Sequence, residues 1–234
     1  PDLLSRDLSD ILNSLQGDVT RIPMEPSRSL PAMMNTAAQT AAGKTLLFMS
    51  DGLMPQPDWL HHLGKGIKKH GKDKLFGARI LDTGNSIFHA GLLIDQNHSP
   101  VCAYQHVPAD FPRALKERQF MMLDHFLGIN LAVFHKIGGF WEKTGKFLFM
   151  DICLRADILN KSKNNCIYLP DVCLVDLQTR NDGFSLEDST WFYGRWHGHL
   201  WESQETFYAE DQVTKSDLDA VRLSQSMTRA TLLG

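Results

Sequence analysis

The chain has 234 residues, 43% of them hydrophobic and 22% charged, enough for one large domain or two small ones around a substantial core. A formal net charge of -3 gives no general pull toward nucleic acid or anionic membrane, and no nucleic-acid partner is expected. No apolar run is long enough to span a bilayer and no signal-peptide pattern opens the chain, so the expected location is cytoplasmic, with peripheral membrane association left open.

Leu3 to Leu15 carry apolar side chains at 3, 4, 8, 11, 12 and 15, the spacing of an amphipathic helix that Gly17 stops. Asp18 to Ile22 reads as a short strand, and Pro23, Pro26 and Ser27 as a loop. Pro31 to Ala42 is rich in small residues and suits a helix packed closely on a sheet. Thr45 to Met49 is a continuous apolar run, which predicts a central strand covered on both faces; it ends at Ser50-Asp51-Gly52. A helix follows from the Pro55-Gln-Pro57 segment to about His70. Leu75 to Leu81 and Ser86 to Ile94 read as strands on either side of an Asp82 to Asn85 turn.

Asp95 to Glu117 is rich in turn formers and matches no element. Phe126 to His135 reads as extended, Gly138-Gly139-Phe140 as a break, and Asp151 to Leu159 as a helix. Short buried strands are expected at Cys166 to Leu169 and Val172 to Val175, around Pro170. Two polar helices, Ser185 to His199 and Ser216 to Leu233, finish the chain. Alternating strands and helices define an α/β class with a mixed sheet. Cys102, Cys153, Cys166 and Cys173 form no C-x-x-C pair and read as reduced thiols.

Three acids stand where chemistry is plausible. Asp51 ends the apolar strand, and open α/β sheets bind ligands beyond the carboxyl ends of their strands. A carboxylate there can hold a divalent cation that neutralises a diphosphate, or it can simply open an Asp-Gly turn. Asp151 starts a helix within the apolar segment Phe147 to Arg155, where the helix dipole favours a negative charge. It could act as a general base toward an alcohol, or serve as an N-cap or a salt-bridge partner of Arg155 one turn on. Asp176 follows the buried Val172 to Val175 run, again at a strand's end. The pairs His197/His199 and His61/His62 do not share a helix face, so zinc is not expected. Trp191, Trp196 and Trp201 read as packing, a lid or a partner surface.

In this order the segments resemble glycosyltransferase family 2, of the GT-A type. The stretch SRSLPAMMNTAAQTAAGKTLLFMSDGLMPQPDWLHHL is similar to that family's Asn, small-residue helix, apolar strand, acidic motif and Pro-x-x-Trp-Leu. GARILDTGNSIFHAGLLID resembles its next hairpin, GINLAVFHKIGGFWE its Gly-Gly-Phe turn, and FMDICLRA with IYLPDVCLVDL its acidic helix and Leu-Pro strand. The similarity covers about residues 18 to 178. It implies a GT-A-like α/β fold with a mixed, mainly parallel sheet flanked by helices. It also implies sugar transfer from a nucleotide-diphosphate donor to the hydroxyl of a saccharide or glycoconjugate acceptor, with inversion and Mn2+ or Mg2+ as cofactor. Such a step belongs to polysaccharide or glycoconjugate synthesis.

Residue by residue, the resemblance assigns donor binding to Arg28, Asn35, Ser50 and Asp51, and the metal to Asp51 and Asp176. It assigns catalysis to Asp151, and acceptor contacts to His89, Trp141 and Glu142. Departures are equally specific. Met49 stands at the first acid of the metal motif, and Asp176 where many members have a metal-binding His. Without a gap, Leu148 and Phe149 occupy the usual Glu-Asp pair and Asp151 the acid beside Leu-Cys-Leu-Arg; a two-residue deletion would place Asp151 on the base itself. Trp141 replaces the Asp usual after Gly-Gly-Phe. The front of the nucleotide cradle, ~30 residues or more, is not found before Asp18, so an excerpt of a longer enzyme is expected. Residues 1–180 are then the GT-A domain and 181–234 its C-terminal helical extension. The competing readings are a catalytically inactive GT-A-like scaffold or glycan-binding domain and, more distantly, a nucleotidyltransferase.

Overall fold

A computed structural model of the chain describes residues 22, 25, 27–161, 163–178 and 186–233. The helix expected at Leu3 to Leu15, and the strand expected at Asp18 to Ile22 except for its last residue, lie outside the described residues. The first helix, α1 (Leu30–Thr40), is set by its start: the Ser29 hydroxyl accepts from the Ala32 N–H, and Pro31 sits in the first turn, where its missing N–H costs nothing. Strand β1 (Thr45–Met49) follows as expected, then a short β2 (Leu53–Pro55) that the sequence did not suggest, and α2 (Trp59–His70).

Strand β3 (Leu75–Leu81) is buried along almost its whole length, β4 is Ile87–His89, and β5 (Leu92–Ile94) pairs with β6 (Pro100–Cys102). Ser86 to Ile94 is thus two strands, broken at Ala90-Gly91. Gly91 has φ +93°, and a Cβ there would fall 2.4 Å from the Phe120 ring. Strand β7 is Arg118–Phe120, and β8 (Phe126–Asn130) runs directly into helix α3 (Leu131–Ile137). The apolar run expected to be extended to His135 therefore divides. Asn130 caps the helix by accepting from Ala132 N–H, and Gly138 closes it with φ 90°.

Helix α4 (Leu148–Asn160) begins three residues earlier than expected and is buried on nearly every side. Strand β9 (Cys166–Asp176) is continuous through Pro170. Its pairing with β3 jumps from Leu169 opposite Ala78 to Cys173 opposite Arg79, so the proline, which has no N–H to give, lies in an irregularity of the ladder. Helices α5 (Leu186–Trp196), α6 (Gln204–Glu210) and α7 (Lys215–Leu233) complete the chain.

The main sheet has the order β1-β8-β3-β9-β2, with β4 on β3 and β7 on β9. This is the α/β class with a mixed sheet. Strands β1, β3 and β9 run in one direction, β8 and β2 in the other, and β3–β9 is the directly parallel pair among the described strands. Strand β1 is less central than its apolar run suggests, since among the described strands it pairs with β8 alone. Leu46 and Phe48 enter the larger core cluster, while Leu47 and Met49 are half-buried against a smaller one on the other face.

The larger cluster also takes in Phe192, Trp196, Leu200, Tyr208 and Leu218, so the helices after β9 share the core of the sheet. Fully burying one such side chain contributes about 1.5–3 kcal/mol. Hydrogen bonds to backbone carbonyls strengthen the join, with Ser203 N–H donating to Ile94 O at 2.9 Å and the Arg222 side-chain Nε to Gln105 O at 2.8 Å. All four cysteines are free thiols, Cys153 and Cys166 buried and Cys102 and Cys173 half-buried. Among the described residues, no helix is long and apolar enough to cross a membrane.

Candidate functional site

Beyond β1 the chain turns through Ser50-Asp51-Gly52 and comes back as β2 along β9. Leu53 lies opposite Asp176, and Leu177 N–H donates to Gly52 O at 3.0 Å. That register brings Asp51 and Asp176, far apart in sequence, to one corner of the sheet. Gln178 ties them: its Nε2 donates to Asp51 Oδ2 at 3.1 Å, and its backbone N–H donates to Asp176 Oδ1 at 2.9 Å. Asp51 is exposed and Asp176 buried. Gly52 is required here, because φ is +76° and a Cβ would meet Gln178 Cγ at 2.6 Å.

The donor chemistry of this corner suits a hard divalent cation. Mg2+-like ions are bound by one or two carboxylates and complete their shell with water and substrate phosphates. No group of three or more His, Cys, Asp or Glu among the described residues makes a closed metal cage. Met49, at the position of the missing acid, is half-buried and offers only a soft thioether. The corner fits an ion shared with a diphosphate, not one held by protein alone. Ser50 contributes through its backbone, its N–H donating to His125 O at 2.8 Å.

Asp151 is set differently. It lies in the first turn of α4 with no solvent exposure, and both oxygens face protein donors. Arg155 Nε donates to Oδ2 at 2.7 Å and Trp196 Nε1 to Oδ1 at 3.0 Å, with Arg195 Nε 3.8 Å from Oδ1. The salt-bridge alternative is realised and the N-cap is not, because α4 has no side-chain cap. The carboxylate presents no oxygen to an acceptor hydroxyl in this arrangement. The general-base role expected of Asp151 therefore finds no geometric basis, the physical reason being its complete burial among donors.

Arg155 extends the same network. Its terminal nitrogens donate to Ile137 O at 3.0 Å and Gly139 O at 2.7 Å, clamping the Gly-Gly-Phe turn. Asn35 completes the clamp from α1, with Nδ2 donating to Phe140 O at 2.7 Å and Phe140 N–H to Oδ1 at 2.8 Å. Both ends of the Asn35 amide are thus engaged by protein backbone, and its expected donor contact is replaced by a structural one. Leu148 and Phe149, at the positions of the family's acid pair, are buried, and Phe149 packs edge-on against Phe140 at 5.9 Å.

Trp141 is 38% exposed and stands edge to face with Trp191, ring centres 5.4 Å apart. The Arg195 guanidinium lies 4.1 Å from the Trp141 ring centre and 4.9 Å from that of Trp196. Glu142, next in chain, is exposed in the following 3-10 turn. Trp141, Glu142 and Asp151 are therefore near neighbours. Of the tryptophans on α5, Trp196 is core packing, while Trp191 is half-buried against Trp141. Arg28 is exposed on α1's approach, donating to Thr36 Oγ1 at 3.2 Å.

His89 does not face a cleft. It is 1% exposed, Nε2 accepts from Asp124 N–H at 3.3 Å, and Nδ1 lies 3.5 Å from Cys102 Sγ. Burial, with His125 adding to it, holds its pKa well below the ordinary 6.5, so the ring is neutral at pH 7. An acceptor contact of the kind expected for His89 would require the ring to leave these partners. Sequence reasoning missed Gln178, Arg195 and His125. The only available signals were a polar residue two places beyond Asp176 and the Trp-x-x-x-Arg-Trp spacing on α5.

No family profile matches the sequence, and no curated protein matches it significantly. Solved structures do match: 53 chains share the architecture. One is described as a crystal structure of GalNAc-T7 with UDP, GalNAc and Mn2+. It superposes with a TM-score of 0.63 at 13% identity, over 97% of this chain and 47% of that one. The fold is therefore that of the GT-A glycosyltransferases. The chain spans about half the length of that neighbour.

Proposed function

We propose that the chain acts as a nucleotide-sugar-dependent glycosyltransferase domain, moving a hexosyl unit to a hydroxyl of a saccharide or glycoconjugate. The observation that carries this reading is the convergence of Asp51 and Asp176 at the carboxyl ends of β1 and β9, bridged by Gln178. The GalNAc-T7 neighbour, solved with UDP, GalNAc and Mn2+, supports it. Asp51 and Asp176 would hold Mn2+ or Mg2+, which when bound supplies Lewis-acid stabilisation of the departing diphosphate.

The remaining roles belong to side chains of the chain itself. The Asn35–Phe140 pair and the Asp151–Arg155 clamp fix the Gly-Gly-Phe turn, and that turn sets the angle of Trp141. Trp141 offers its ring to a sugar's apolar face, and Arg195 its guanidinium to acceptor oxygens. In the transfer, the bond from the anomeric carbon to the diphosphate oxygen breaks as the acceptor oxygen bonds to that carbon. The acceptor's proton passes to an exposed carboxylate, and Glu142, beside Trp141, is our candidate for it. In-line attack of this kind inverts the anomeric centre.

A second reading, an inactive GT-A-like scaffold or glycan-binding domain, is favoured by one observation. The positions of the family's acid pair are filled by buried Leu148 and Phe149, and Asp151 is saturated by Arg155 and Trp196. The discriminating experiment incubates the chain with Mn2+, saccharide acceptors and uridine, guanosine or thymidine diphosphate sugars, following both donor binding and nucleotide release. Transfer is expected to need the metal and to vanish in Asp51→Asn. Donor binding without release, or neither binding nor release, would overturn the transferase reading in favour of the inactive one.

A further inference from the structure

The stretch between β7 and β8 contains a strained turn that neither the metal corner nor the acceptor side accounts for. Phe126 N–H donates back to Asp124 O at 2.7 Å across His125, whose φ is +63°. A three-residue closure with positive φ at its centre is the rare, strained form of the γ-turn, and a non-glycine residue holds it only when the surroundings over-determine it. Its output is specific. The His125 carbonyl, turned out by that φ, accepts the Ser50 N–H at 2.8 Å, one residue before Asp51. It prolongs the β1–β8 ladder by one rung past Met49 opposite Phe126.

Buried His89 is what holds the turn from inside. Its Nε2 accepts the Asp124 N–H at 3.3 Å, a contact that joins β4 to the turn. Because Nε2 accepts, the proton of the neutral ring sits on Nδ1, directed at Cys102 Sγ at 3.5 Å. The titratable groups around the ring are His125, at 5.7 Å between ring centres, Asp124 and Cys102. Asp124 in turn accepts the His125 N–H on Oδ1 at 2.8 Å. A chain of contacts therefore runs from β4 through the turn to the end of β1.

We infer that His89 is a positioning residue for the Ser50–Asp51 corner: its Nε2 lone pair locks the Asp124–His125 turn, and the turn's carbonyl anchors Ser50. This rests on the reading of Asp51 as a donor-side acid only for its functional consequence; the structural link stands without it. Gln at position 89 can place its side-chain oxygen near the Nε2 position and accept the same N–H. Asn places its oxygen near Nδ1, and Leu offers none.

The test measures hydrogen exchange of the Ser50 amide by NMR in the whole chain, alongside affinity for Mn2+ with a uridine diphosphate sugar, for wild type, His89→Gln, His89→Asn and His89→Leu. Ser50 exchange should speed up about tenfold or more in His89→Leu and His89→Asn, the scale of one lost hydrogen bond, and remain near wild type in His89→Gln. Affinity should follow the same order. Should His89→Leu not fold, the Gln against Asn comparison decides. Equal Ser50 exchange in all variants, or equal loss in Gln and Asn, overturns the inference. If wild type shows no metal-dependent affinity, the donor reading fails by itself, and Ser50 exchange still decides the role of His89.

Discussion

Replacing Asp151 by Asn removes the charge from a carboxylate with no solvent contact while leaving its shape. Arg155, its partner at 2.7 Å, has a side chain only 15% exposed, so the loss leaves a nearly buried guanidinium without a counter-charge. Breaking such a pair from one side costs about 3–5 kcal/mol. Two features place this case at the lower end. The amide keeps one acceptor for either Arg155 or Trp196, and Arg155 retains its bonds to the Ile137 and Gly139 carbonyls. About 3 kcal/mol corresponds, for a chain of this size, to a fall in Tm of about 6–12 °C. Urea unfolding of wild type, Asp151→Asn, Arg155→Met and the double variant forms a double-mutant cycle, with an expected coupling of about 2 kcal/mol. Additivity within about 0.5 kcal/mol would refute the clamp and return Asp151 to candidacy as a free base.

Three further outcomes are expected. Gly139→Ala, at φ +69° with its Cβ 2.7 Å from Asn35 Oδ1, should destabilise by about 1–3 kcal/mol in denaturant titration. Stability should be flat above the ordinary histidine value and fall as pH drops below about 6.5. The unfolded chain protonates His89 there while the fold, whose His89 pKa is depressed, does not; His89→Gln should lack that component when unfolding is measured from pH 7 to 5. Trp141→Ala should leave Tm within about 2 °C of wild type, because the ring is partly exposed, yet weaken saccharide acceptor binding by about tenfold in titration calorimetry.

The fold was readable where one physical signal dominates. The apolar runs Thr45 to Met49 and Leu75 to Leu81 became strands with those boundaries. Reading failed where the signal was mixed. Phe126 to His135 is largely apolar, and the Asn130 cap separates strand from helix. Arg118–Phe120 is a strand because it pairs with β9, a long-range contact that no local pattern encodes. At the site, the acids at strand ends were visible as residue types, and the Leu53–Asp176 register that unites two of them was not. The burial of Asp151 depends on Trp196 and Arg195 arriving from a distant helix, and the burial of His89 on a turn whose strain leaves no mark in sequence.

The central claim is that Asp51 and Asp176 together bind a divalent ion against a nucleotide diphosphate. Electron paramagnetic resonance of free Mn2+, titrated with the chain in the presence and absence of uridine diphosphate, reads this directly. The expected result is strong depletion of the free-ion signal only when nucleotide is present, lost in both Asp51→Asn and Asp176→Asn with the fold intact. A free-ion signal that uridine diphosphate and the chain together leave no lower than uridine diphosphate alone would contradict it.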